Sequence, residues 1–119
     1  MDYKSPKIIL HNKLDRQTLE KKLEQESFTR KTISFYRYTE ITNPQEFRDL
    51  LYKKWSDLDC LGRVYIAKEG INAQMSVPNH NWQAFKEQLN SFKELKNISI
   101  KVAIEDNGKS FLKLSIKIR

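Results

Sequence analysis

Gly62-Arg-Val-Tyr-Ile-Ala-Lys-Glu-Gly-Ile-Asn-Ala-Gln-Met-Ser-Val-Pro78 is the stretch whose reading decides the fold. Two of the chain's three glycines, Gly62 and Gly70, bracket a β-rich run, and Gly70 falls where two strands have to meet. Successive side chains of a strand point to opposite faces, so residues two apart share a face. On that period Val64 and Ile66 lie together, as do Ile71, Ala73, Met75 and Val77 on the following arm. The opposite face carries Arg63, Tyr65, Asn72, Gln74 and Ser76. The pattern predicts a β-hairpin with one apolar side and one side able to hold a polar ligand.

The flanking segments supply the rest of a layer. Upstream, Thr32 to Thr39 reads as a strand through Ile33, Phe35, Tyr36 and Tyr38. Asn43-Pro44-Gln45-Glu46 then opens a helix: Asn caps it, Pro takes the first turn, and Glu stands three residues after the cap. Phe47, Leu50, Leu51, Trp55 and Leu58 are spaced to form its buried face. After the hairpin, Pro78-Asn79 opens a second helix with Trp82, Phe85, Leu89 and Phe92 at spacings of three, four and three. Asn97 to Glu105 reads as a strand with Ile98, Ile100, Val102 and Ile104 on one face. Asp106-Asn107-Gly108-Lys109 has the composition of a hairpin turn. The last run, Phe111 to Arg119, alternates Leu112, Leu114, Ile116 and Ile118 against Lys113, Ser115, Lys117 and Arg119.

The resulting order, β-α-β-β-α-β, is the split βαβ or ferredoxin-like pattern, also used by acylphosphatases. The expected fold is therefore an α+β, acylphosphatase-like sandwich over residues 32–119, with an extra carboxy-terminal strand. Two helices cover one face of its sheet and leave the other available. Residues 1–31 form an amino-terminal extension. Within it Ile8-Ile9-Leu10 is a short strand or docking tail, and Asp15 caps a peripheral helix from about Arg16 to Glu26. Leu14, Leu19 and Leu23 give that helix only a narrow apolar stripe.

Composition narrows the function classes. A chain of 119 residues holds one domain with one core. No segment reaches the roughly 20 apolar residues of a membrane span, and the first residues lack the apolar stretch of a secretory signal. One cysteine, Cys60, makes no internal disulfide, which fits a reducing cytoplasm. The net charge of +7 is uneven: residues 1–60 hold 12 Lys/Arg against 10 Asp/Glu, and residues 61–119 hold 10 against 5. A basic second half suits phosphate-rich partners, which release counterions when neutralised.

Three readings of the open face follow. As an RNA surface it offers the rings of Tyr36, Tyr38 and Tyr65, the cations Arg63, Lys68 and Lys101, and the amides of Asn72 and Gln74. The RNP1 pattern of RNA-recognition domains is absent from Gly62 to Glu69, so an ordinary solvated or domain-facing surface is the competing reading. As an acylphosphatase it would need a phosphate-cradling loop after the first strand, with backbone N–H groups and an arginine aimed at the anion. Here that loop is Tyr38-Thr39-Glu40-Ile41-Thr42-Asn43, with no glycine and with an acid. His11 and His80 have no partners at metal-ligand spacing. Asp57 and Asp59 beside Cys60 raise a thiol pKa rather than activate it. No catalytic residue and no metal ligand is assigned.

The stretches Leu10-His-Asn12, Thr32-Ile-Ser-Phe-Tyr-Arg-Tyr38, Leu61 to Pro78, and Asp106-Asn-Gly-Lys-Ser-Phe111 carry a family resemblance. Over about Leu10 to Arg119 the chain resembles the amino-terminal domain of the bacterial rhodanese-domain tRNA uridine hydroxylases. Glu69-Gly-Ile-Asn72 is its most characteristic piece. The resemblance implies a tRNA-modifying oxidoreductase that forms 5-hydroxyuridine at the wobble position, with prephenate as a required metabolite. It also implies that the essential cysteine lies in a carboxy-terminal rhodanese-like domain. Cys60 does not match that cysteine and inherits no role, and no cofactor is assigned to this chain. The run to Arg119 stops at the end of a strand, so a longer parent protein is expected. The expected role is an accessory cytoplasmic module that aids tRNA binding or orients the catalytic domain. A purely structural interdomain packing module and a stand-alone RNA-binding domain are the alternatives.

Overall fold

A computed structural model describes residues 12–104, 106, 107 and 109–119, with side chains from residue 16 onward. The hairpin forms as its alternation predicts. Strands β2 (Leu61–Ala67) and β3 (Gly70–Pro78) pair antiparallel, with Val64 opposite Ala73 and Ile66 opposite Ile71. Val64, Ile66, Ile71, Ala73, Met75 and Val77 are all buried.

Strand β1 (Arg30–Tyr38) pairs antiparallel with the whole of β3, from Arg30 opposite Pro78 to Tyr38 opposite Gly70. Helices α2 (Pro44–Asp57) and α3 (Trp82–Ser91) lie on the apolar face, α2 over β2 and the last strand and α3 over β3. Asn43 caps α2 by accepting from the Glu46 N–H at 3.2 Å, which satisfies one of the orphan donors of the first turn. Phe47, Leu51, Trp55, Phe85 and Leu89 enter the core, with the Trp55 and Phe85 rings 5.8 Å apart. Full burial of side chains of this size stabilises by about 1.5–3 kcal/mol each, which makes these two stripes the main cover of the sheet. Leu50 departs from the expected stripe and is 40 % exposed, because its place in the helical turn puts it on the flank of α2.

Two strands close the sheet in the order β4-β1-β3-β2-β5. Strand β4 is short, Lys101–Val102, and pairs antiparallel with β1. Of the strand expected over residues 97–105, the described part, 97–104, is therefore mostly irregular. Ile98 and Ile100 pack partly on the core, while Val102 and Ile104 stay exposed. Neither helix lies over this edge, so burial lapses there. Strand β5 (Leu114–Ile118) sits at the opposite edge, parallel to β2, with Arg48 Nε donating to the Ile116 carbonyl at 3.0 Å.

The Asp106–Lys109 turn thus does not join two hairpin arms. Between β4 and β5 the chain passes from one edge to the other, and its described residues Asp106, Ser110 and Phe111 meet the outer face. Thr32 Oγ1 donates to Asp106 Oδ1 (2.9 Å), and Gly62 N–H donates to the Lys113 carbonyl (2.9 Å). Ser110 and Phe111 line a hollow with Ser34 and Gln74 of the outer face. Ser76, which points outward next to Gln74 on β3, has no exposed surface, and its carbonyl accepts from the buried Arg30 guanidinium.

The peripheral helix α1 spans Asn12–Glu24, so its start precedes the Asp15 cap expected from the sequence. Leu23 is its one fully buried side chain among the described positions. Just beyond it, Glu26 ties the extension to the sheet by accepting two hydrogen bonds from Arg30. Ile8-Ile9-Leu10, His11 and Gly108 lie outside the described residues.

Candidate nucleic-acid interface

The pairing registers place the outward residues in rows across the sheet. One row runs Lys101, Ser34, Gln74, Arg63 and Ser115. The next runs Tyr36, Asn72, Tyr65 and Lys117. Tyr38, Gly70 and Ala67 form a third row at the hairpin end, with Arg119 beside it through its N–H bond to the Ile66 carbonyl. Five of the six candidate residues, Arg63, Tyr65, Asn72, Gln74 and Lys101, therefore share the outer face. Lys68 does not: it sits in the β2–β3 turn, and its carbonyl accepts from the Ile41 N–H.

The crossover covers one end of this face and leaves the other open. At the open end Tyr36 and Tyr38 are 71 % and 84 % exposed, their rings edge to face at 6.4 Å. Together with Tyr65, Asn72, Gly70, Ala67 and Arg119 they border a shallow hollow. The Arg119 guanidinium lies 4.1 Å from the Tyr65 ring centroid, a cation–π contact. Glu69 is the acid at its rim. Arg37 faces the helices instead, donating to the carbonyls of Glu94 and Lys96.

The charged, exposed strand positions of the face are basic, while acids stand beside them, Asp106 on Thr32, Glu69 at the rim and Glu26 on Arg30. Among the described strands, the exposed outward positions carry Arg63, Lys101 and Lys117 and no Asp or Glu, and Arg119 follows just beyond the last strand, over Tyr65. Such a surface attracts polyanions and is screened by salt. Lys117 and Arg119 did not stand among the sequence candidates, although the alternation of the last strand already put them on the polar side.

The loop that would cradle a phosphate is engaged elsewhere. Thr39 N–H donates to the Glu69 carbonyl (3.0 Å) and Ile41 N–H to the Lys68 carbonyl (2.9 Å), while the Ile41 side chain is buried. Two of its backbone donors thus hold the hairpin turn. Cys60 is 2 % exposed, and its thiol is pushed up to about 12 by burial first, with Asp59 adding to the shift and Arg30 opposing it. A thiol in that state is a core side chain rather than a nucleophile. Among the described residues no three His, Cys, Asp or Glu side chains gather as a metal site requires, and no helix is long and apolar enough to cross a membrane.

An α+β sheet in 4-1-3-2-5 order, two helices on one face and a basic, tyrosine-bearing opposite face define an acylphosphatase-like domain without that class's free anion loop. The chain belongs to the family described as UPF0176 acylphosphatase like domain, whose model matches residues 30–119. It is 52 % identical over 110 residues to the tRNA uridine(34) hydroxylase of Leptospira interrogans serogroup Icterohaemorrhagiae serovar Lai, covering 92 % of this chain and 30 % of that protein. The protein of the same name from Photorhabdus laumondii is 48 % identical, covering 93 % of this chain and 32 % of its own length. The chain thus spans about a third of the length of the curated relatives it matches. Among solved structures, full-length HypF in its phosphate- and nucleotide-bound form aligns with a TM-score of 0.58 at 13 % identity, over 79 % of this chain and 13 % of that one. The dark-state BLUF protein BlrB aligns at 0.55 and 7 %, over 79 % of this chain and 76 % of its own. These two likenesses speak to the fold alone.

Proposed function

We propose that this domain is the tRNA-holding module of an enzyme that hydroxylates the wobble uridine of tRNA. The outer sheet face contacts the RNA backbone, and the chemistry takes place in another domain of the intact protein. The observation that carries this reading is the set Arg63, Lys101 and Lys117 on outward strand positions that hold no acid, with Arg119 just beyond the last strand. Cations so arranged neutralise phosphates and release counterions without reading sequence. The printed name of the relatives, tRNA uridine(34) hydroxylase, supports tRNA as the substrate class, and a cytoplasmic setting goes with this reading.

In the intact protein a rhodanese-like domain provides the reactive cysteine and prephenate is required, as the family resemblance implies. No residue of this domain is assigned to prephenate. Arg63→Glu and Lys101→Glu test the reading. Each is expected to weaken tRNA binding at low salt while leaving the melting temperature unchanged; unaltered tRNA affinity in folded variants contradicts it.

A second reading is favoured by the exposure of Tyr36 and Tyr38, large rings that a neighbouring domain would cover. There the same face packs on the catalytic domain. Substitutions at Tyr65 or Gln74 would then lower the stability of the longer protein without changing tRNA affinity.

A further inference from the structure

We infer that the hollow bounded by Tyr36, Tyr38, Tyr65 and Arg119 accepts one unpaired base from an RNA loop. This rests on the reading that the basic face holds RNA, and it adds which part of the RNA enters which part of the face.

The hollow is built by three adjacent strands. Tyr36 and Tyr38 rise from β1 and Tyr65 from β2, with β3 between them. Two strand spacings, about 10 Å between backbones, separate β1 from β2. Asn72 stands between Tyr36 and Tyr65, so the room for a flat ring lies in the next row, over Gly70 beside Tyr38. The floor lacks a side chain for a specific reason. Gly70 stands between Tyr38 and Ala67, and a Cβ there would come within 2.2 Å of the Arg37 carbonyl oxygen, at a φ of +157°. Glycine is needed by the backbone, and the outer surface above it is left bare.

Its chemistry suits a base better than a phosphate alone. The rings of Tyr36 and Tyr38 are exposed, and base–aromatic stacking needs such free ring faces. Asn72, between Tyr36 and Tyr65, brings an amide that both donates and accepts, as a base edge requires. Arg119 is held over Tyr65 at 4.1 Å, its charge placed at the rim for the flanking phosphate. Bases inside a duplex are stacked on one another and cannot enter, so the hollow distinguishes a loop from a stem.

The test uses two labelled RNAs, a stem-loop with seven unpaired bases and a blunt duplex with the same number of phosphates, in fluorescence anisotropy. The wild-type protein should bind the stem-loop more tightly. Tyr36→Ala should weaken stem-loop binding by roughly 5- to 150-fold, while Tyr36→Phe, which keeps the ring, retains it. Duplex binding should be alike in all three proteins. The exposure of Tyr36 keeps the substitution outside the core, and thermal melting verifies the fold. Salt-sensitive binding of both RNAs that ignores Tyr36→Ala overturns the base site but leaves the basic face standing. If the wild-type protein binds neither RNA, the basic-face reading fails and the base site with it.

Discussion

Arg30 grips Glu26 through two hydrogen bonds, Nε to Oε1 at 2.8 Å and Nη2 to Oε2 at 2.7 Å, with both side chains almost wholly out of water. The remaining guanidinium nitrogen donates to the carbonyls of Asp59 and Ser76. One side chain therefore joins the extension, the α2–β2 connection and the end of β3. Arg30→Ala leaves the Glu26 carboxylate and two carbonyls without this donor, and breaking a buried pair in this way costs about 3–5 kcal/mol. Against a total of about 5–15 kcal/mol for a domain, the urea midpoint should fall sharply. A midpoint within error of wild type would show that the grip adds no stability.

Gly70 offers a second stability test. Replacing it with alanine sets a Cβ against the Arg37 carbonyl at 2.2 Å in a backbone conformation that disfavours side chains. We expect a loss of about 1–3 kcal/mol and a clear drop in melting temperature. Asn72→Ala, two residues along on the exposed face, should change the melting temperature little. Equal melting of the two variants would contradict the clash.

Cys60 gives the domain a pH dependence of known sign. Its pKa rises from 9.0 to about 12 on folding, so the folded state holds the thiol proton more tightly than the unfolded chain. This contribution to stability is complete below pH 9 and is lost as pH rises toward 12. Denaturation between pH 8 and 11 should show a steeper alkaline loss for wild type than for Cys60→Ala, which lacks the titrating group. A thiol-specific reagent at pH 8 should modify Cys60 only after denaturant is added. Rapid labelling of the native protein would contradict its burial.

The sequence and the structure agree where local patterns fix the physics. Alternation alone identified six of the buried hairpin residues, Val64, Ile66, Ile71, Ala73, Met75 and Val77, and Asn43-Pro44 located the start of α2. Alternation reports which face of a strand is apolar, however, and not which neighbour the strand pairs with. That is why Asp106–Lys109 read as a hairpin turn although β4 and β5 occupy opposite edges. Alternation put Ser76 on the polar side and gave no sign of its burial, which comes with a long-range contact from Arg30, 46 residues away in sequence. Arg30 was missed because a charged residue at the start of a strand gives no sign of burial; its opposite charge four residues back, Glu26, is the available hint. For the candidate face, period two grouped Arg63, Tyr65, Asn72 and Gln74 correctly. Lys101 was already among the candidates of that face, and only the sheet order brought Lys117 and Arg119 to it as well.

The slope of log K against log salt concentration for tRNA binding is the decisive measurement. Each phosphate neutralised adds roughly 0.7–0.9 to the magnitude of that slope. We expect a steep slope for the wild-type protein and one shallower by roughly 2 for the Arg63→Glu, Lys117→Glu, Arg119→Glu triple variant, with both proteins melting at similar temperatures. The same affinity and slope in a folded triple variant would show that the sheet face does not hold tRNA.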